Sequence, residues 1–168
     1  PIHSYVARQV LAAQVGASTT LPWRSTDIGQ VGTPGTLTVA VDTLAITAGG
    51  KDMWAGGQSG HFAYVPVEGD VDVRVRVEGL NSPGNNGRAK AGIVIRESLA
   101  HDAATAFCVV VADGQTLMRA ETGRTGETRS MALPGQMRPR WLRMVRRGNT
   151  FEGLRSVDGV LWERVGLA

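Results

Sequence analysis

The chain has 168 residues, a formal net charge of +3, 42% hydrophobic residues and 20% charged residues. These values are typical of one folded domain and exclude a disordered or fibrous chain. No apolar run approaches the roughly 18 residues that a membrane-spanning helix needs. A single cysteine, Cys108, excludes an internal disulfide framework and a multi-cysteine metal site.

The first part of the chain differs from the rest. A helical apolar stripe is approximated by Tyr5, Val6, Val10, Leu11 and Val15. Gly16 then offers a helix stop. We therefore expect residues 1–22 to be an N-terminal extension or linker, with a short helix as one alternative, and residues 23–168 to form one domain.

From Leu37 onward the hydrophobic pattern has a period of two. Residues 70–78 alternate valine with charged residues, which predicts a strand with one face in a core. Residues 91–97 and 106–111 are more continuously apolar and predict central strands. Asp158-Gly159 predicts the turn of a closing hairpin. The chain should hold roughly ten to twelve strands in an all-β, two-sheet antiparallel sandwich or jelly roll.

Several motifs then occur in a recognisable order. The segments that carry it are Asp27–Gly32, Asp52–Trp54, His61–Val67, AKAGIVIRES at 89–98, WLRMVRRGNTF at 141–151 and Ser156–Trp162. With these motifs the chain resembles a bacterial family of concanavalin-A-like (laminin-G-like) β-sandwich domains with "AKAGVMIRES" and "W-x-R-L-x-R-x-G-N-x-F" signatures. The resemblance implies a concanavalin-A-like jelly roll, an extracellular or cell-surface location in bacteria, and a superfamily rich in glycan binders.

No catalytic constellation stands out. Glycosidases need two carboxylates that flank the scissile bond. The nearest candidates are Glu68, Asp70 and Asp72, but Val73 occupies the sixth position of the glucanase-like pattern, and Gly69 favours a turn. No Gly-x-Ser-x-Gly nucleophile motif occurs, and Cys108 lies in an apolar run. We expect a non-catalytic protein, with a glycan-cleaving enzyme as the weakest alternative.

Metal and nucleic-acid sites are also poorly supported. The three histidines do not cluster with carboxylates at metal-ligand spacing. Calcium is compatible with the sequence, because its oxygen ligands can come from loops such as 81–86 or 113–114 without a motif. The arginines of residues 138–147 divide between two strand faces, which argues against nucleic-acid binding.

A binding groove remains the best-supported type of site. Sugar recognition needs aromatic rings and fixed polar groups, a special case of the general pocket rule. The candidate ligand-binding residues are Trp54, His61, Tyr64, Arg96, Glu97, Trp141 and Arg143. For each of them a structural role is the competing interpretation. The arginines would then pair with internal carboxylates, His61 would be a hydrogen-bonded structural histidine, and Trp141 would fill the core with Trp162.

Together these observations predict a non-catalytic, lectin-like carbohydrate-binding module. Its partner would be a polysaccharide or a cell-surface glycan. The alternative is an interaction or assembly domain that meets a protein partner or a second copy of itself.

Overall fold

The computed structural model describes residues 3–10, 21–41, 43–50, 57–82, 87–122, 128–134 and 140–168. Within these ranges all regular secondary structure is extended, and no helix occurs. The strands are β1 (His3–Val10), β2 (Arg24–Ile28), β3 (Thr36–Val39), β4 (Thr43–Ala48), β5 (Gly60–Tyr64), β6 (Val71–Asn81), β7 (Lys90–Arg96), β8 (Thr105–Val111), β9 (Thr116–Glu121), β10 (Thr128–Leu133), β11 (Arg140–Arg147), β12 (Thr150–Ser156) and β13 (Glu163–Leu167).

Two antiparallel sheets form the body of the protein. One has seven strands in the order β13-β12-β11-β6-β1-β4-β3, and the other has four in the order β10-β9-β8-β7. A separate two-stranded ribbon pairs β2 with β5. The prediction of an all-β protein with two antiparallel sheets, consistent with a β-sandwich, is confirmed.

The alternation of valine and charged residues along β6 determines which face of the strand lies in the core. Val75 and Val77 are buried in the core, while Asp72, Arg74 and Arg76 lie on the opposite face of the same strand. Successive side chains of a strand point to opposite faces, so the valine-charge pattern places one face inward. Strand β11 repeats the arrangement, because its residues Leu142 and Met144 face the core and the residues between them face outward.

Strand β8 lies at the centre of the core. All seven of its residues are buried, as the apolar run predicts for a central strand. The prediction that residues 91–97 form a central strand is wrong, because β7 is the last strand of its sheet. The Cys108 thiol on β8 is fully enclosed, and burial raises its pKa to about 12. Gly153 allows close contact here, because a Cβ at this position would lie 2.8 Å from the Met118 sulfur.

The helix considered for the N-terminal segment is wrong for residues 3–10. These residues form β1, which is hydrogen-bonded to β4 on one side and to β6 on the other. The free edges of β4 and β6 satisfy the backbone groups of an extended segment, and such pairing overrides a weak local helical pattern. The rest of the segment, residues 1–2 and 11–20, lies outside the described residues.

The predicted closing hairpin is confirmed, with β12 and β13 joined by the turn around Asp158 and Gly159. One carboxylate oxygen of Asp158 accepts hydrogen bonds from the backbone N–H groups of Val160, at 2.8 Å, and Leu161, at 2.9 Å. Gly159 adopts a φ of 78°, a left-handed conformation that favours glycine. The turn is therefore fixed, although Val160 and Leu161 are 74% and 76% exposed.

Candidate functional site

A cleft opens between the edge of β7 and the β2–β5 ribbon. Strand β7 pairs only with β8, and β5 pairs only with β2, among the strands that the structure describes. The opening has a volume of about 580 Å³, and its floor includes Ile46 of β4 and Val73 of β6. This volume falls in the range of small-molecule sites, which are concave and mostly apolar with a few polar groups.

Four of the predicted binding residues line this cleft. They are His61, Tyr64, Arg96 and Glu97. The sequence brings them together because His61 and Tyr64 belong to β5, while Arg96 and Glu97 stand at the end of β7 across the opening. Nothing in the spacing of the two segments, which are about thirty residues apart in the chain, reveals that their ends face each other.

Three side chains form a continuous series at the mouth of the cleft, here called the Arg96–Phe62–Tyr64 series. The rings of Phe62 and Tyr64, two residues apart on one strand, are stacked with centroids 5.4 Å apart and planes 7° from parallel. The guanidinium carbon of Arg96 lies 5.6 Å from the centre of the Phe62 ring. Such cation–π and stacking contacts hold planar groups in fixed orientations.

Arg96 is held in place by backbone carbonyls. Its Nε donates to the carbonyl of Ser98 at 2.6 Å, and its Nη2 donates to the carbonyl of Ala100. Its Nη1 is enclosed and has no hydrogen-bond partner. Burial lowers the pKa of Arg96, because the charged form loses hydration. The guanidinium is therefore oriented, and one of its nitrogen atoms is unsatisfied.

His61 has a structural role in this arrangement. Its Nδ1 lies 2.8 Å from Asp27 Oδ1, and its side chain is only 5% exposed. The ring packs against Gly35, where a Cβ would lie 2.4 Å from the imidazole, and the Gly35 N–H donates to Asp27 at 3.0 Å. The hydrogen bond from His61 is the main reason that the pKa of Asp27 is lowered. The pair ties β5 to β2 and to the turn before β3.

The other two predicted binding residues that line the cleft are Tyr64 and Glu97. Glu97 is exposed, and its backbone N–H donates to the carbonyl of Ala104 at 3.0 Å, which fixes its position. Tyr64 is half-buried, and its hydroxyl makes no hydrogen bond to a described residue. Both groups are thus available to a ligand.

Trp141 and Arg143 lie elsewhere, on the outer face of the seven-stranded sheet. Arg143 donates to both carboxylate oxygens of Asp72, with Nε at 2.8 Å and Nη2 at 2.5 Å. This bond lowers the pKa of Asp72 and raises that of Arg143. Trp141 lies beneath Gly159, where a Cβ would be 3.0 Å from the indole, and Arg76 lies 6.0 Å from its ring centre. They do not share a site with the cleft residues.

Trp162 belongs to the same outer face, although the sequence gives it only a core role. The guanidinium carbons of Arg74 and Arg143 each lie 5.8 Å from the centre of its ring. We call the set Arg74, Arg76, Trp141, Arg143 and Trp162 the guanidinium–indole face. Phe62 was also missed as a site residue. The sequence does contain a signal for Phe62, because it is two residues from Tyr64 and such residues of a strand lie on the same face.

The carboxylates considered for catalysis do not converge. Glu68 lines the cleft, Asp70 accepts from the Gly148 N–H at 2.8 Å, and Asp72 is bound to Arg143 on the outer face. A left-handed Gly69, with a φ of 68°, turns the chain between them.

The other predicted sites are Trp54 and the loops considered for calcium. Trp54, and the loop residues 83–86 considered for calcium, lie outside the described residues. In the described parts of the chain, no group of three or more His, Cys, Asp or Glu side chains could hold a metal ion. Asp113 accepts from the backbone N–H of Gln115 at 2.9 Å and so closes its own turn.

Within the described ranges, no helix is long and apolar enough to cross a membrane. Comparisons of the chain with protein-family models, with curated proteins and with solved structures gave no match.

Proposed function

We propose that this chain is a non-catalytic, lectin-like carbohydrate-binding module of a bacterial extracellular or cell-surface protein, with a concanavalin-A-like jelly-roll fold. The observation that carries the proposal is the Arg96–Phe62–Tyr64 series at the mouth of the cleft. The antiparallel two-sheet architecture and the ordered sequence motifs support the same interpretation.

The chemistry of the series suits a sugar. A pyranose presents an apolar face of C–H groups to an aromatic ring and hydroxyls at its rim. Tyr64 offers a half-buried ring and a hydroxyl, and Glu97 is an exposed carboxylate. A ligand oxygen that reached Arg96 Nη1 would satisfy a donor that is otherwise enclosed without a partner.

Preorganisation is the second reason for choosing this site. Carbonyl oxygens of Ser98 and Ala100 fix the guanidinium of Arg96 before any ligand arrives. The His61–Asp27 pair fixes β5, from which both rings project. Because these groups lose little freedom on binding, their contacts contribute more of their interaction energy to affinity.

A glycan array, run with calcium and again with a chelator, tests the proposal. We expect a coherent set of related sugars to bind. Tyr64→Ala and Arg96→Gln should each weaken binding about tenfold or more. Arg164→Gln is the matched control, because Arg164 on β13 pairs with Glu152 on β12 and neither residue lines the cleft. Loss of binding on addition of the chelator would add a calcium site to this proposal.

A second candidate function is supported by the β12–β13 turn. Val157, Val160 and Leu161 expose large apolar side chains on a turn that Asp158 holds fixed. Rigid exposed apolar groups are typical of protein–protein contacts. If the chain is an assembly domain, sedimentation will depend on concentration, Leu161→Ser will abolish that dependence, and the glycan array will be silent.

A further inference from the structure

The guanidinium–indole face holds an arginine whose hydrogen bonds are unused. Arg74 Nε lies 3.7 Å from Asp72 Oδ1, too far for a hydrogen bond, and that oxygen already accepts from Arg143 at 2.8 Å. The Arg74 side chain is 32% exposed. Its Nε is enclosed without a hydrogen-bond partner, so the Nη groups are the donors left for a ligand, and the carboxylate neighbour is already bound by Arg143.

Arg76 repeats this situation one step along β6. Its Nε lies 3.3 Å from Glu78 Oε1 without hydrogen-bond geometry, and its side chain is 30% exposed. Arg74 and Arg76 are two residues apart on one face of a strand, so their positions are separated by about 7 Å. Both arginine side chains thus project from the same face of β6, Arg74 against Trp162 and Arg76 against Trp141.

Trp162 supplies a ring platform beside these donors. Arg74 and Arg143, which are opposite each other in neighbouring strands, both lie against its ring, and the indole remains partly exposed. Trp141 is half-buried as well, and its indole already lies against the Gly159 turn and near Arg76. Trp162 is therefore the ring platform that this face offers, with the guanidinium group of Arg74 next to it.

The charge of the face selects the kind of ligand. Among the side chains described on this face, three arginines are opposed by Asp72 and Glu78, which leaves an excess of one positive charge. Glu152 also lies near Arg143 but is itself paired with Arg164. Nucleic-acid binders neutralise many phosphates, and their single-strand sites usually stack several bases. A sparse charge beside one ring fits a polymer that carries one carboxylate on each ring.

We propose that the guanidinium–indole face is a second binding site, which takes an acidic polysaccharide by stacking one uronate ring on Trp162 while its carboxylate accepts hydrogen bonds from Arg74 and Arg76. This inference rests on the proposed carbohydrate-binding function and adds to it a separate site and a ligand class. Arginine suits a carboxylate because its planar donors bind both oxygens at once.

Calorimetric titration with polygalacturonate oligomers tests this site, and the fully methyl-esterified oligomers are the matched neutral ligand. We expect the acid to bind and the ester to bind at least about tenfold more weakly. Arg74→Gln should weaken binding of the acid by about the same factor. Arg24→Gln, which removes one exposed charge from β2 in the separate ribbon, should leave it unchanged.

Trp162→Ala should reduce binding of the acid, and Trp162→Phe should retain part of it, which separates a ring contact from a folding defect. Equal binding of acid and ester, binding unchanged by Arg74→Gln, or equal binding of a single-stranded DNA oligomer would each overturn the proposal. Neutral-glycan binding that depends on Tyr64, together with no binding of the acid that depends on Arg74 or Trp162, would leave the carbohydrate-binding function standing while this second site failed. No binding of any glycan would remove both.

Discussion

The two ends of the sandwich differ in how completely their apolar side chains are buried. At one end Leu142 and Met144 of β11 and Met118 of β9 are completely buried between the sheets. At the other end Ile46 of β4, two strands beyond β6 in the sheet, faces the cleft and remains half-buried. The same type of apolar side chain therefore belongs to a filled core at one end and to the wall of an opening at the other.

This difference assigns stability and recognition to different parts of one fold. Where side chains are fully packed, removal of atoms leaves a cavity that the structure cannot refill. Where a wall already borders open space, removal of atoms only enlarges that space. Substitutions in the cleft lining should therefore cost little stability, whereas substitutions at the packed end should cost much more.

The largest effect is expected at the packed end. Leu142→Ala should lower the free energy of unfolding by about 2–5 kcal/mol, because the side chain is fully buried and its removal leaves a void. Urea unfolding at constant m-value measures this. A loss of unfolding free energy below about 1 kcal/mol would show that Leu142 is packed no more tightly than the side chains of the cleft wall.

The next effect concerns the bond that joins β6 to β11. Asp72→Asn should cost about 1–2 kcal/mol at neutral pH, because it removes a charge-assisted bond to Arg143. The hydrogen bond from Arg143 lowers the Asp72 pKa in the folded protein. The carboxylate therefore stabilises the fold above its unfolded pKa of about 3.9, and this stabilisation is lost as the pH falls through the lower folded value.

Unfolding at several pH values between about 2 and 7 checks this sign. The Asp72→Asn variant should lack part of the acid-induced loss that the parent shows. Asp102→Asn, at an exposed turn, is the control and should follow the parent curve. If the acid response of Asp72→Asn equals that of the parent protein, the Asp72–Arg143 bond does not stabilise the fold.

A smaller effect is expected at the open end. Ile46→Ala removes as many carbons as Leu142→Ala, yet it should cost only about 1 kcal/mol, because Ile46 is already half-exposed to the cleft. The ratio of the two losses, measured in one unfolding series, sharpens the contrast between the ends. Equal losses would mean that the cleft is closed in solution.

The smallest effect on stability belongs to the mouth of the cleft. Glu97→Gln should change the free energy of unfolding by less than about 0.5 kcal/mol, because the side chain is exposed. Glycan binding should nevertheless weaken, since a charged acceptor becomes a neutral one. A large stability change without any change in binding would assign Glu97 to the fold and not to the site.

The sequence predicts the strands well where alternation is regular, as for the valines of β6 and the hairpin at Asp158. It does not predict the partners that give the polar residues their roles. Arg143 bonds to Asp72 and His61 bonds to Asp27, in each case across a long stretch of intervening chain. These pairings depend on sheet order and register, which no local pattern encodes. For the same reason the sequence groups Trp141 and Arg143 with Arg96, although they lie in different sheets.

The enclosed thiol of Cys108 gives the protein an internal reporter. Its pKa of about 12 leaves almost no thiolate at neutral pH, and the side chain is 0% exposed, so a thiol reagent can react only after the sheets separate. As the chain's single cysteine, it yields one signal. At reagent concentrations high enough that the rate no longer rises, the consumption of an aromatic disulfide by the native protein therefore measures how often the sandwich opens, without any label or denaturant.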